Sequence, residues 1–473
     1  MNLDQVKEIY FIGIGGIGMS AAAALASSLG YRVSGSDQKE VYPPATSVLS
    51  KNQILYSKGY QIKNIKNPDL VVIGAAETPD DNPEVKEVVK RGISFISYPE
   101  LLNFFLKDKF RIIVAGTHGK TTTSFLTAWA LAATKSKAGF FVGGYGKDFK
   151  TNFLTTESKY FVIEGDEYYS SFFDKKPKFL HYHPSLLVIT NLDMDHYDYY
   201  KNIGELLDKF KKLIKSIPPD GVIVACHDDS NVKKLLKNTD RKVIWYGLKG
   251  NQVQWKGEKI SYSNNTMRFM AKNLETKEKE EITMKLIGEH NVLNCLATIA
   301  TLDYLQIPVS SFKNALEEFQ GSSRRFELKE EINGIIVIDD YAHHPTAVKA
   351  TLAAARAKYP NQKIWAVFEP HTFSRTKATL AELAQSFSAA DEVIIPDIYP
   401  AREKFKQGTI TGKEVVSQIA QFQKNVHYLP VKENVLDYLS KNLKTGDVVI
   451  IMAVGDFNQV ADLLINKLKN GNP

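Results

Sequence analysis

The sequence predicts an α/β protein of three domains, each built on a mostly parallel sheet. Three observations predict it. Apolar, strand-like runs alternate with helix-like runs along the whole chain, the pattern of doubly wound sheets. Two of these runs lead into glycine turns that open helices, one near the N-terminus and one near residue 116. The length, 473 residues, corresponds to about three domains of ordinary size.

The first segment, residues 1–108, opens with the strand Ile9-Tyr10-Phe11-Ile12 and the turn Gly13-Ile14-Gly15-Gly16-Ile17-Gly18. A small-residue helix is expected over 19–28, then a strand, Arg32-Val33-Ser34, ending at Gly35-Ser36-Asp37, and another over 69–74. Gly13-x-Gly15-x-x-Gly18 matches the Rossmann-like dinucleotide fingerprint, with Asp37 about 20 residues on as the acidic ribose ligand. The physics is less specific than the pattern. Glycines at a helix N-terminus let backbone approach any nucleotide diphosphate. The same glycines also serve close helix–strand packing with no ligand.

The second segment, 109–321, begins with the strand Arg111-Ile112-Ile113-Val114 and the turn Ala115-Gly116-Thr117-His118-Gly119-Lys120-Thr121-Thr122. A helix is expected over 123–133. Strand, glycine turn, Lys-Thr, helix is the layout of a P-loop. Its N–H groups cradle phosphate oxygens, Lys120 reaches the outer phosphates, and the Thr121 hydroxyl holds Mg²⁺. The strict pattern asks for glycine where Val114 stands, so this is a shortened variant, G-T-x-G-K-T. Further strands are expected over 160–163, 186–190 and 221–225. Residues 251–283 suggest a small antiparallel patch, and Gly321-Ser322-Ser323 a linker. In the third segment, 322–473, strands are expected over 335–338, 364–368, 392–395 and 447–452, and helices over 345–358 and 378–388.

Composition excludes several classes. No run is long and apolar enough for a membrane span, and the first residues form no secretory signal. The net charge of +7 suits an anionic substrate, but the lysines are scattered and no nucleic-acid-binding motif accompanies them. The two cysteines, Cys226 and Cys295, read as buried thiols, which fits a reducing cytoplasm.

Polar clusters at strand ends carry the chemistry. Glu164-Gly165-Asp166-Glu167 and Asn191-Leu192-Asp193-Met194-Asp195-His196 each follow a strand, where α/β sheets place ligands. Glu167 and His196 are candidate ligands for Mg²⁺ beside substrate phosphates. Gly288-Glu289-His290-Asn291-Val292-Leu293-Asn294 opens a helix expected over 292–302, with Asn291 suited to an N-cap. In the third segment, His343, His344, His371, Arg375 and Arg402 could bind a carboxylated acceptor. The adjacent histidines lack further ligands at zinc spacing.

Together these motifs resemble the Mur ligases, which build the peptide of bacterial peptidoglycan, over nearly the whole length. The residues are Gly13 to Ser20, Gly35-Ser36-Asp37, Gly116 to Thr122, Asp195-His196, His290-Asn291-x-x-Asn294, Arg324-Arg325-Phe326 and Asp339 to Pro345, in family order. The resemblance implies a Rossmann-like N-terminal domain for a UDP-sugar, a P-loop central ATPase domain and a Rossmann-like C-terminal domain for the acceptor. Gly15, Gly16, Gly18 and Asp37 would then serve UDP. Residues 116–122, His290, Asn291, Asn294, Arg325, Asp340 and Tyr341 would serve ATP. Lys120, Glu167 and His196 would be catalytic, with Thr121, Glu167 and His196 on Mg²⁺.

Two branches of the family use free UDP-N-acetylmuramate. One adds L-alanine; the other, a recycling branch, adds L-Ala-γ-D-Glu-meso-diaminopimelate. The first two domains resemble the recycling branch, through Val41-Tyr42-Pro43-Pro44 and the stretch 167–179. The third domain resembles the alanine branch, through Glu369-Pro370-His371-Thr372-Phe373-Ser374-Arg375-Thr376 and Asp397-Ile398-Tyr399-Pro400-Ala401-Arg402-Glu403. Since the third domain selects the acceptor, L-alanine is the expectation. A dehydrogenase would leave Lys120-Thr121 idle, and a non-catalytic scaffold would not need Lys120, Glu167 and His196 together. Lys211 and Lys212 are not assigned as carbamylated metal ligands.

Overall fold

A computed structural model describes residues 5–470, save 196, 198, 264, 265, 402 and 407. His196 and Arg402, candidates above for metal and acceptor, lie outside the described residues.

The first sheet holds β1 (Glu8–Ile12), β2 (Arg32–Asp37), β3 (Leu55–Lys58), β4 (Leu70–Ile73) and β5 (Phe95–Ile96). All are parallel, in the order β3-β2-β1-β4-β5. Sequence patterning missed β3 and β5 for physical reasons. β3 is an edge strand whose Leu55 is 81% exposed, and β5 is two residues long.

The central sheet has ten strands: β6 (Phe110–Ala115), β7 (Gly139–Gly146), β8 (Thr151–Leu154), β9 (Tyr160–Gly165), β10 (Leu186–Ile189), β11 (Val222–Cys226), β12 (Lys242–Gly247), β13 (Trp255–Ser263), β14 (Thr266–Asn273) and β15 (Lys279–Met284). Their order is β15-β14-β13-β12-β11-β10-β6-β9-β7-β8. Central strands such as Leu186-Leu187-Val188-Ile189 are apolar throughout because helices cover both faces. On one face Ile112 and Val114 pack with the helices Lys120–Ala132 and Glu289–Tyr304; on the other Ile113 and Ala115 share a core with Phe210 and Leu213 of Ile203–Lys215. The antiparallel patch β13-β14-β15 forms as expected, but it continues the main sheet through the parallel β12–β13 pairing.

The third sheet holds β16 (Glu327–Ile332), β17 (Ile335–Asp340), β18 (Ile364–Phe368), β19 (Glu392–Ile395), β20 (Val426–Tyr428) and β21 (Val448–Met452). The order is β16-β17-β21-β18-β19-β20, and only β16 runs antiparallel to its neighbour. The fold is thus three α/β units on mostly parallel sheets. Among the described residues no helix is long and apolar enough to cross a membrane.

Three local expectations need correction. The helix expected over 378–388 is two short ones, Phe373–Ala378 and Leu380–Ala384. Its earlier start depends on distant help: the Glu403 carboxylate accepts the Phe373 and Ser374 N–H groups, and the Thr372 hydroxyl accepts that of Arg375. The helix expected from 292 begins at Glu289, so Asn291 is inside it rather than capping it. Residues 321–323 are no free linker. Ser322 bridges to Gly146, Ser323 N–H donates to Tyr145 O, and Lys147 N–H to Gly321 O.

Candidate active site

β6 lies between β9 and β10, and the strand order reverses there, so a crevice opens at its carboxyl end. Residues 116–119 occupy that point. Gly116 has φ 136°, and a Cβ there would sit 2.2 Å from Thr190 Oγ1. Gly119 has φ 83°, and a Cβ there would sit 2.5 Å from Asn294 Oδ1. Both positions therefore demand glycine, by conformation and by space. No side chain caps the helix that begins at Lys120, so its first N–H groups are left for an anion.

The segment after β10 holds the loop in shape. Asn191 Oδ1 accepts from His118 N–H at 2.8 Å, and its Nδ2 donates to His118 O at 2.9 Å. The Thr117 hydroxyl donates to Asp193 O and accepts from Asp193 N–H. Lys120 Nζ donates to Gly116 O at 2.8 Å and Thr117 O at 3.0 Å, and lies 2.9 Å from Glu167 Oε2. Burial alone would lower the lysine's pKa, but Glu167, Asp166 and Glu164 outweigh it and keep Lys120 protonated.

Glu164, at the end of β9, was not singled out in the sequence. Its Oε1 accepts the Thr121 hydroxyl at 2.6 Å, and its Oε2 the Gly143 N–H at 2.6 Å. Burial and the neighbouring Asp166 push its carboxyl up, against the pull of Lys120. Thr121, Glu164, Lys120 and Glu167 thus form one buried group with oxygen donors suited to a hard cation.

The first glycine turn reaches this group through Tyr98. A Cβ on Gly18 would sit 3.2 Å from that ring, and Lys178 Nζ lies 5.0 Å from the ring centroid while pairing with Asp166 at 3.1 Å. Asp37 is turned inward: its Oδ2 accepts the Gly15 N–H at 2.8 Å, so it closes the turn itself. Gly16 N–H is likewise spent within the turn, on Gly13 O.

The third domain docks on the segment after β10. Asp193 Oδ2 accepts the Thr346 hydroxyl at 2.7 Å, and Asp195 Oδ1 takes both Nε and Nη2 of Arg375 at 2.8 Å. Arg375 Nη1 also lies 2.6 Å from His371 Nδ1. His344 is engaged at both ring nitrogens: Nδ1 caps the helix Pro345–Lys358 and Nε2 reaches Met194 O at 3.1 Å. His343 lies 3.8 Å from Asp195. Lys211 and Lys212 are exposed on the helix Ile203–Lys215, and Lys211 pairs with Asp208.

A cavity of about 890 Å³ opens between the central and third domains, of a size for a nucleotide. His118, Gly119, Thr121, Thr122, His290, Asn291, Asn294, Arg325 and Asp340 line it. Asn291 Nδ2 donates to Ile287 O and its Oδ1 accepts from Asn294, which in turn accepts the Thr123 hydroxyl. Asp340 is held by the N–H groups of Phe326 and Ala342. The guanidinium groups of Arg324 and Arg325 each lie 5.2 Å from the Tyr341 ring centroid.

Burial, with Arg325 beside one and Arg375 beside the other, holds His290 and His343 down to about 4. Their unfolded values are higher, so the unfolded chain binds more protons in between. Stability is therefore complete above about pH 6.5 and lost as pH falls toward about 4. Thermal unfolding followed across that window should show a falling Tm, with a shallower fall in His343→Asn.

Comparison with known proteins adds a second line of observation. Residues 8–110 match the family described as Mur ligase family, catalytic domain; 114–302 the Mur ligase middle domain; and 324–455 the Mur ligase, glutamate ligase domain. The UDP-N-acetylmuramate–L-alanine ligase of Acetivibrio thermocellus is 39% identical over 464 residues, covering 98% of this chain and 96% of its own. That of Clostridium tetani is 37% identical, covering 98% and 99%. Among solved structures, the UDP-N-acetylmuramate-alanine ligase of Thermotoga maritima superposes with TM-score 0.81 at 27% identity, over 99% of this chain and 100% of that one. A murein peptide ligase of Psychrobacter arcticus gives TM-score 0.74 at 30% identity, over 99% and 100%.

Proposed function

The chain belongs to the Mur ligase family, and we propose that it joins L-alanine to the carboxylate of UDP-N-acetylmuramate, using ATP and forming ADP and phosphate. The observation that carries this reading is the joint placement of phosphate-loop residues 118, 119, 121 and 122 and the third-domain residues Arg325 and Asp340 around one cavity, with the buried Lys120–Glu167 pair in the same loop region. Full-length relatives at 36–39% identity bear the alanine-ligase name, which favours L-alanine over the tripeptide. The reading keeps domain limits near 108/109 and 321/322, and a cytoplasmic setting suits the nucleotide substrates.

ATP fits the site by its shape. The loop is held in shape by close packing of Gly116 on Thr190 and Gly119 on Asn294, and the uncapped helix start offers N–H donors to phosphate. His290, Asn291, Asn294, Arg325, Asp340 and Tyr341 would hold the rest of the nucleotide. Thr121, Glu164 and Glu167, with His196, would hold Mg²⁺, which supplies charge neutralisation for the phosphates. The muramate carboxylate takes the terminal phosphoryl group, and ADP leaves. The acceptor amine then attacks the acyl phosphate, forming the amide and releasing phosphate. Lys120 stabilises charge on the transferred group, and domain docking positions the partners and keeps water from the acyl phosphate. Gly15, Gly16, Gly18 and Asp37 would place the UDP-sugar, and His344, His371, Arg375 and Arg402 the acceptor.

A heavy-oxygen label in the muramate carboxylate tests the acyl phosphate. The label should appear in the released phosphate. Unlabelled phosphate, or release of AMP and pyrophosphate, overturns this route.

A further inference from the structure

Three side chains from separate stretches of the chain converge where the third domain docks on the phosphate loop. His118 lies inside the loop, Asp193 follows β10, and His344 precedes the helix Pro345–Lys358. One ligand atom from each, two ring nitrogens and a carboxylate oxygen, falls within 4.8 Å of the others. Asp193 Oδ2 is 3.6 Å from His118 Nε2 and 3.6 Å from His344 Nδ1, and the two ring centroids are 5.0 Å apart.

At 3.6 Å neither contact is a hydrogen bond. His118 Nε2 is buried and has no hydrogen-bond partner among the described residues. His344 Nε2 faces the Met194 carbonyl, which can only accept, so that nitrogen carries the proton. Nδ1 then presents a lone pair, which the Thr346 N–H meets at 3.4 Å, near the limit of a hydrogen bond. Asp193 Oδ2 is an acceptor too, of the Thr346 hydroxyl. Acceptors thus face one another across a gap that a positive charge would relieve. A proton on His344 is disfavoured, because burial and then His118 hold its pKa down.

The spacing fits a metal ion. Ligands at about 2.0–2.2 Å from a tetrahedral ion stand about 3.4 Å from one another. Two imidazoles and a carboxylate suit zinc, and suit Mg²⁺ poorly, since Mg²⁺ prefers oxygen. The outer contacts of a metal site are already made. The Met194 carbonyl fixes the His344 ring, and the Met194 N–H and Thr346 hydroxyl hold the two oxygens of Asp193. His118, Asp193 and Thr346 line the cavity described above, so an ion reaches the site from there.

We propose that His118, Asp193 and His344 bind a zinc ion that pins the third domain to the phosphate loop, apart from the Mg²⁺ of the reaction. A water molecule from the cavity would complete four-coordination. His118 and Asp193 belong to the central domain and His344 to the third, so the ion favours the docked arrangement. Nucleotides enter and leave between those domains, so zinc slows turnover. The site itself does not depend on the reaction; the slowing rests on the ligase reading above.

Calorimetric titration of zinc into the full chain, without nucleotide and in excess Mg²⁺, tests the site. Zinc should bind with a Kd of about 1 µM and raise Tm. Asp193→Asn can keep the Thr346 contact, and His118→Ala leaves the Asn191 clamp on the loop backbone intact, so both should fold. Each should weaken zinc binding about tenfold or more. In phosphate-release assays zinc should slow the wild type, and half-inhibition should need about tenfold more zinc in Asp193→Asn, each protein judged against its own zinc-free rate. Absence of zinc binding in this range, equal affinity in the wild type and both variants, or bound zinc that leaves turnover unchanged overturns the proposal. A chain that releases no phosphate even before zinc is added would sink the ligase reading instead, and the titration alone would then decide the site.

Discussion

Lys120→Ala should abolish ADP formation while UDP-sugar binding on the first domain survives. The lysine sits at the first turn of the helix after the phosphate loop, with its ammonium on two loop carbonyls and Glu167. Those carbonyl contacts hold the ammonium at the loop mouth, where outer phosphates would lie. Losing one such donor costs about 10³-fold in rate, and here it is the loop's own cation. The variant also takes the Lys120 ammonium away from the buried Glu167, a loss that a falling Tm would reveal. Adding Glu167→Gln should restore Tm but not turnover, which separates chemistry from folding. Coupled ADP detection and calorimetric titration with UDP-N-acetylmuramate check both halves. Near-normal turnover in Lys120→Ala would remove the phosphate loop from the mechanism.

Arg375→Ala should lower kcat/KM about 10²-fold or more, through misplacement of the third domain. Arg375 and Asp195 are each 7% exposed at the side chain, and one carboxylate oxygen takes two guanidinium nitrogens. This pair joins the third domain to the segment that also clamps residues 117 and 118. Removing the arginine takes the guanidinium away from the buried Asp195 and breaks its contact with His371. Lysine cannot reproduce the two-nitrogen contact, so Arg375→Lys should recover only part of the loss. Kinetics of both variants, with Tm as control, decide it. Wild-type kcat/KM in Arg375→Ala would show that the docking contact does not position the reactants.

Much of this was legible in the residues because it is local. The strand 364–368, the helix 345–358 and the strand 392–395 lie within single runs whose apolar pattern leaves little choice. The phosphate loop was legible because Gly116 and Gly119 are required by backbone shape and by the close approach of Thr190 and Asn294. What escaped depends on contacts across the chain. Glu164 and Glu167 share one acidic run, and which of them meets Thr121 is settled by the pleat of β9 and its place beside β6. The Asp195–Arg375 pair spans 180 residues, and no periodicity announces it. Asp37 matched a ribose ligand in spacing, yet its carboxylate closes on Gly15 because the two strands bring it there.

The most direct test of the central claim is phosphate release from ATP with Mg²⁺ and UDP-N-acetylmuramate, measured with L-alanine or with L-Ala-γ-D-Glu-meso-diaminopimelate as sole acceptor. Release that depends on L-alanine, and not on the tripeptide, is the predicted result. Release with the tripeptide alone would contradict it, and would mean that the first two domains, rather than the third, carry the mark of the acceptor.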